Sequence, residues 1–205
     1  MRTGRPREFD LDRTLDRAVR VFWRQGYEGT AIADLTEALG INRPSLYAAF
    51  GNKESLFRQV LARYSDQRAG YLPVALAEPT ARAVVEHLLR GAAEATTGRG
   101  EPRGCLGVQG ALATGPNSDP IRRTLTSWRR SGEAAIRARL SKARDEGDLP
   151  TEADPATLAR FVCAVMYGMS VQAAGGATRT QLHRVVELTM SSWNTLIAGE
   201  PTDAS

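Results

Sequence analysis

Cysteine, histidine and aromatic residues are scarce in this chain. Of 205 residues, only two are cysteines, Cys105 and Cys163, and only two are histidines, His87 and His183. Two distant cysteines exclude a disulfide framework and point to a reducing cytoplasm. No C-x-x-C pair occurs, so the sequence offers no zinc site and no metal is expected. A G-x-S-x-G elbow, a Walker loop and an H-E-x-x-H motif are all missing, and the acidic residues are scattered. Neither catalysis nor a cofactor is therefore expected. Apolar runs are short as well: none approaches the ~20 residues of a membrane span, and no membrane partner is expected. The N-terminal stretch RTGRPREFD carries charge without an apolar run behind it, which reads as an arm rather than a signal peptide.

The remaining sequence is 42% hydrophobic, enough for a core without disulfides. Strand-like alternation is absent, and each segment between glycine and proline breaks has helical spacing. An all-α fold is expected. The formal charge is +4 overall, and residues 1–68 carry twelve Arg or Lys against nine Asp or Glu, so most of the excess lies in the first third. That distribution suits a phosphate-facing surface, although a solvated charged face has the same composition.

The most informative stretch is TAIADLTEALGINRPSLYAAF, residues 30–50. Ile32, Leu35 and Leu39 form an inward stripe, Gly40 allows a tight turn, and Ile41 fills the space behind it. Thr30 is read as the cap of this helix and Asn42 as the cap of the next, whose first turn tolerates Pro44. Leu46 and Phe50 point back to the first helix and leave Arg43, Ser45 and Tyr47 outward. This is the layout of a helix-turn-helix, in which the second helix presents its N-terminal residues to the major groove. A preceding helix carries Leu11, Leu15, Ala18, Val19 and Phe22 and is read as ending at Gly26. A following helix begins at Lys53, a cation that opposes the helix dipole and so invites an anionic partner such as phosphate. Arg2, Arg5 and Arg7 give the arm, residues 1–9, the charge to reach the minor groove or phosphates; a solubilising tail is the alternative.

The run GYEGTAIADLTEALGINRPSLYAAFGNKESLF has a Gly-Tyr, a capping Thr, a turn Gly, a Leu-Tyr and a Lys-Glu in order. On these features residues 8–57 resemble the DNA-binding domain of the tetracycline-repressor (TetR) family of bacterial regulators. The resemblance implies a cytoplasmic, homodimeric regulator of transcription, more often repressor than activator, that binds double-stranded operator DNA and answers a small-molecule effector. It divides the chain into the arm 1–9, a helix-turn-helix domain 10–54, and a helical ligand-binding and dimerisation domain 55–200. Arg43 is the candidate base reader; Asn42, Pro44 and Ser45 lie beside it, and Thr30, Tyr47, Lys53 and Arg5 are candidates for the DNA backbone or minor groove. Three features depart from the usual pattern: Thr36 for a small alanine, Pro44 for a small residue, and Ala48 with Ala49 for an aromatic or histidine pair.

Beyond residue 70 the reading rests on periodicity. Helices are expected over 80–97, over 119–145, from Asp154 and Pro155 to Gly175, and in one last helix from Leu182 through Trp193 to Leu196. The final pair is more apolar than one core needs, and in the resembling family the corresponding pair forms the dimer interface. Gly104, Gly107 and Gly110 interrupt a short apolar segment around Cys105. Their G-x-x-G-x-x-G spacing has no preceding strand, so close helix packing or a cavity wall is expected instead of a nucleotide loop. Leu88, Cys105, Trp128, Met166 and Met169 are the weak candidates for effector contacts. Two alternatives stay open: a thiol or metal sensor built on Cys105, whose neighbour Arg103 would favour thiolate, and a regulator without an effector.

Overall fold

A computed structural model describes residues 11–98, 102–112 and 119–198 of the chain. Its helices are α1 (Leu11–Gly29), α2 (Ile32–Leu39), α3 (Arg43–Phe50), α4 (Lys53–Arg68), α5 (Tyr71–Leu76), α6 (Ala81–Thr96), α7 (Leu106–Leu112), α8 (Asp119–Asp145), α9 (Pro155–Ala174), α10 (Arg179–Ser191) and α11 (Trp193–Ile197). Among the described residues there is no strand. Local chemistry sets many of the boundaries. Asn42 Oδ1 accepts from the Ser45 amide at 2.9 Å and Asn52 Oδ1 from the Ser55 amide at 2.8 Å. Asp154 accepts from the Ala156 and Thr157 amides, which holds its carboxyl below the usual carboxylate range; its hydrogen bond from the Thr157 hydroxyl contributes most. Such caps satisfy amides that a helix start leaves open, for ~1 kcal/mol each.

Four boundaries differ from the sequence expectation. Gly26 (φ 71°, ψ 174°) breaks α1 without ending it, and helical geometry resumes through Gly29. Thr30 is not a cap: Ala31 precedes α2, its amide donates to Asp34 Oδ2 at 2.8 Å, and the Thr30 hydroxyl donates to the Gly26 carbonyl at 2.6 Å. A short helix, α5, occupies the stretch around Pro73. The last helix divides at Ser192, whose amide turns back to the Thr189 carbonyl at 3.2 Å.

Two apolar cores form among the described residues. The first joins α1–α4 through residues such as Phe22, Leu35, Leu46, Phe50 and Phe57, all at most 2% exposed. Phe22 meets Phe57 edge-on at 5.1 Å and Trp23 meets Tyr64 likewise at 5.1 Å, contacts that add ~0.5–1.5 kcal/mol each to the burial itself. This core also takes in Leu106 of α7 and Ile121 and Leu125 of α8. The second core joins α5, α6, α9, α10 and the C-terminal half of α8. Polar ties reinforce the first: Arg63 of α4 bonds Asp16 of α1 at 2.8 Å and reaches Asp12 at 3.3 Å. The Arg63 guanidinium holds the Asp16 carboxyl below its ordinary range. Trp128 Nε1 of α8 donates to the Ser65 hydroxyl of α4 at 2.7 Å.

Candidate nucleic-acid interface and effector cavity

The turn between α2 and α3 needs a left-handed residue, and Gly40 supplies it at φ 68°. Its amide and that of Ile41 return to the Thr36 carbonyl at 3.0 and 3.2 Å, which fixes the angle between the helices. The Thr36 hydroxyl donates to Ala33 within its own helix at 2.9 Å, so this departure from the family pattern is accommodated locally. Leu46 and Phe50 anchor α3 in the first core, while Asn42, Arg43, Pro44, Ser45, Tyr47, Ala48 and Ala49 are all exposed. One helix thus offers a continuous outward face above two buried anchors.

On that face the Arg43 guanidinium lies 5.7 Å from the centre of the Tyr47 ring and donates to its hydroxyl at 3.4 Å. The pairing limits the rotamers of a long side chain before any partner arrives. Lys53 stands at the start of α4, half-buried, with its ammonium 4.4 Å from the Tyr27 ring centre. Burial pushes its pKa below the lysine range, against the opposite pull of Glu28 and Asp34. The aromatic face therefore offsets part of the mismatch between this cation and the helix dipole. Thr30 is fully buried with its hydroxyl engaged, so it offers a phosphate no side-chain surface. Arg5 lies outside the described residues.

Away from this face, a cavity of about 570 Å³ opens between the end of α4, α5, α8 and α9. Its lining includes Ser65, Asp66, Tyr71, Leu72, Trp128, Arg129, Ile136, Cys163, Met166 and Tyr167. A second space of about 50 Å³ shares Tyr71, Trp128, Met166 and Tyr167 with it and adds Tyr64 and Cys105. Of the five residues expected at a ligand, Trp128 and Met166 line both spaces and Cys105 the smaller. Leu88 and Met169 do not: at 0% and 2% exposure they are filled into the second core. Tyr71, Arg129 and Tyr167 went unrecognised in the sequence, because what places them is the crossing of helices far apart in the chain.

The surroundings of Cys105 do not favour the thiolate that the sensor alternative needs. Burial pushes its thiol up, against smaller lowering contacts from Tyr64, the Val108 and Gly107 amides and the charge of Arg129. Arg103 does not serve it, since its guanidinium donates to the Gly176 and Ala177 carbonyls at the α9–α10 connection. His87 bonds Glu78 at 2.8 Å and His183 bonds Glu94 at 2.9 Å, so each histidine is a link in a surface pair. No group of three or more His, Cys, Asp or Glu able to hold a metal occurs among the described residues.

The exposed recognition face, its buried anchors and the flanking cation define a helix-turn-helix DNA-binding protein. The family model for bacterial regulatory proteins of the tetR family matches residues 15–60, and that of the tetracyclin repressor-like C-terminal domain matches residues 79–188. The chain is 35% identical over 196 residues to the HTH-type transcriptional repressor ComR of Escherichia coli K12, covering 95% of this chain and 93% of that protein. With the repressor BdcR of the same organism it shares 32% over 181 residues, or 87% and 86% of the two chains. Among solved structures it is similar to a cysteine-substituted form of the TetR-family regulator CifR complexed with 26-bp double-strand operator DNA. That likeness has a TM-score of 0.87 at 44% identity, over 92% of this chain and 100% of the other. The chain belongs to the TetR family, and it is a DNA-binding transcriptional regulator. No described helix is long and apolar enough to cross a membrane.

Proposed function

We propose that the protein is a homodimeric cytoplasmic repressor that leaves its operator when a small molecule fills the cavity beside α8. The exposed face of α3, held by Leu46 and Phe50, is the observation that carries this reading. In it, Arg43 reads a base in the major groove, with Asn42, Pro44 and Ser45 beside it, while Tyr47 and Lys53 grip phosphates. Residues 10–54 do the reading, and residues 55–200 sense and dimerise. Two-fold pairing through α9 and α10 is supported by Val171, Val185 and Leu188, which are 46%, 41% and 70% exposed on those helices. A dimer presents two recognition helices to half-sites ~34–36 Å apart. An effector is supported by the cavity, whose volume lies within the ~300–1,000 Å³ of small-molecule sites. A thiol sensor has less support, because desolvation raises the pKa of the half-buried Cys105 thiol and so disfavours its thiolate.

The test is a gel shift with the DNA flanking the protein's own gene, repeated with ligands that raise its melting temperature. Retarded DNA that such a ligand releases is the expected result. Failure to retard any flanking fragment would overturn local repression. Release by oxidants alone, abolished by Cys105→Ser, would favour the thiol reading.

A further inference from the structure

Arg129 is the exceptional member of the cavity wall. Its side chain is half-buried, yet the groups it reaches are neutral. Nη1 donates to the Gly107 carbonyl at 3.1 Å and Nη2 to the Thr126 hydroxyl at 3.3 Å. Among the described residues no carboxylate pairs with it; the nearby acid of α8, Glu133, pairs with Arg160 at 3.4 Å. Asp66, on the same wall, is exposed and acts on Arg63 of its own helix. Around Arg129 the surface is aromatic and aliphatic: Tyr71, Trp128, Ile136, Met166 and Tyr167. A cation with hydrogen-bond capacity to spare, set in an apolar wall, attracts an anion far more strongly than a cation in open water does.

We infer that the cavity takes an organic anion, its carboxylate-like head on Arg129 and its apolar, ring-bearing body against Trp128, Tyr71 and Tyr167. The inference rests on the effector reading above and gives that effector a chemical class. It also supplies a route outward. The head competes for the guanidinium with the Gly107 carbonyl, which belongs to α7. Gly107 lies against the Trp128 ring, and its neighbour Leu106 is buried in the core shared with α1 and α4. Drawing Arg129 into the cavity therefore loosens α7 where it supports the DNA-binding bundle.

Calorimetric titration of the full chain with carboxylic acids and their neutral amides tests this. Suitable pairs are benzoate with benzamide, 1-naphthoate with 1-naphthamide, and indole-3-acetate with indole-3-acetamide. At least one acid should bind about tenfold or more tightly than its amide, as a charge-assisted hydrogen bond provides. That preference should vanish in Arg129→Gln and persist in large part in Arg129→Lys, whose retained charge also covers the case of a misfolded glutamine variant. Met166→Trp, which adds a second indole to the wall beside Trp128 and Tyr167, should weaken acid and amide binding together. Amides that match their acids, a panel that fails to bind at millimolar concentration, or acid and amide affinities that Met166→Trp leaves unchanged would each overturn the assignment. Operator affinity, followed by fluorescence anisotropy, is a separate readout. An acid that binds through Arg129 without weakening operator binding leaves the anion site standing and removes the effector reading alone.

Discussion

In the DNA-reading roles proposed for them, Arg43 and Lys53 differ in how the fold prepares each side chain. Arg43 is exposed but braced by Tyr47, so its planar fork is held near one geometry, which favours recognition of a base edge. Lys53 is a point charge resting on the Tyr27 ring, suited to a phosphate whatever the base. Arg43→Ala should therefore relax preference at one base position, by ~1–3 kcal/mol of discrimination. Lys53→Ala should weaken all operators alike and lower the salt slope of binding by about one. Anisotropy titrations over a set of single-base operator variants separate the two, and identical profiles for both mutants would refute the division of roles. A second residue-scale consequence concerns Cys163, 4% exposed, whose thiol burial raises from 9.0 to about 11. The folded chain keeps this proton where the unfolded chain releases it. Stability is therefore fully present below the unfolded value and lost as pH rises from about 9 toward 11. Thermal melts across that window should show a decline that is shallower in Cys163→Ala, after comparison with the mutant's own stability at pH 7.

At the scale of elements, the contact of α7 with α8 depends on a missing side chain. A Cβ at Gly107 would overlap the Trp128 ring, whose indole N–H is already committed to Ser65. Alanine normally gains up to ~1 kcal/mol over glycine inside a helix, but overpacking costs ~1–3 kcal/mol, and here the ring has little freedom to yield. Gly107→Ala should lower the midpoint of denaturant unfolding; an unchanged or raised midpoint would show that Trp128 moves aside. This pairing illustrates what the sequence does and does not reveal. The helical stripes, the Asn42 cap, the helix start at Asp154 and the Gly40 turn are local patterns within a few residues, and each was legible. Thr30 was misread because its partner, the Gly26 carbonyl, becomes available only when α1 breaks there. The cavity was half legible: Trp128 and Met166 stood out by type, whereas Arg129 and Tyr167 matter through what crosses them. Leu88 and Met169 look the same as lining residues in sequence, and only packing shows them filled in.

For the molecule as a whole, the proposed dimer interface lies on the outward surfaces of α9 and α10. Leu188, 70% exposed, is a large apolar side chain left facing water in the single chain. Leu188→Arg should shift the protein toward monomer in sedimentation equilibrium. Operator affinity should fall steeply with it, because one recognition helix then has to bind without its mate. A mutant that stays dimeric and binds normally would place the interface elsewhere. The first core has a different bearing on the same scale. Leu106, Ile121 and Leu125 lie far along the chain from α1–α4, yet they complete the bundle that carries α3. A chimera made by joining the first 54 or 68 residues to a foreign sensor would leave a gap in that bundle where these three side chains belong. Grafts that exchange sensing specificity should instead carry α7 and the first turns of α8 along with the reading head, as one inherited unit.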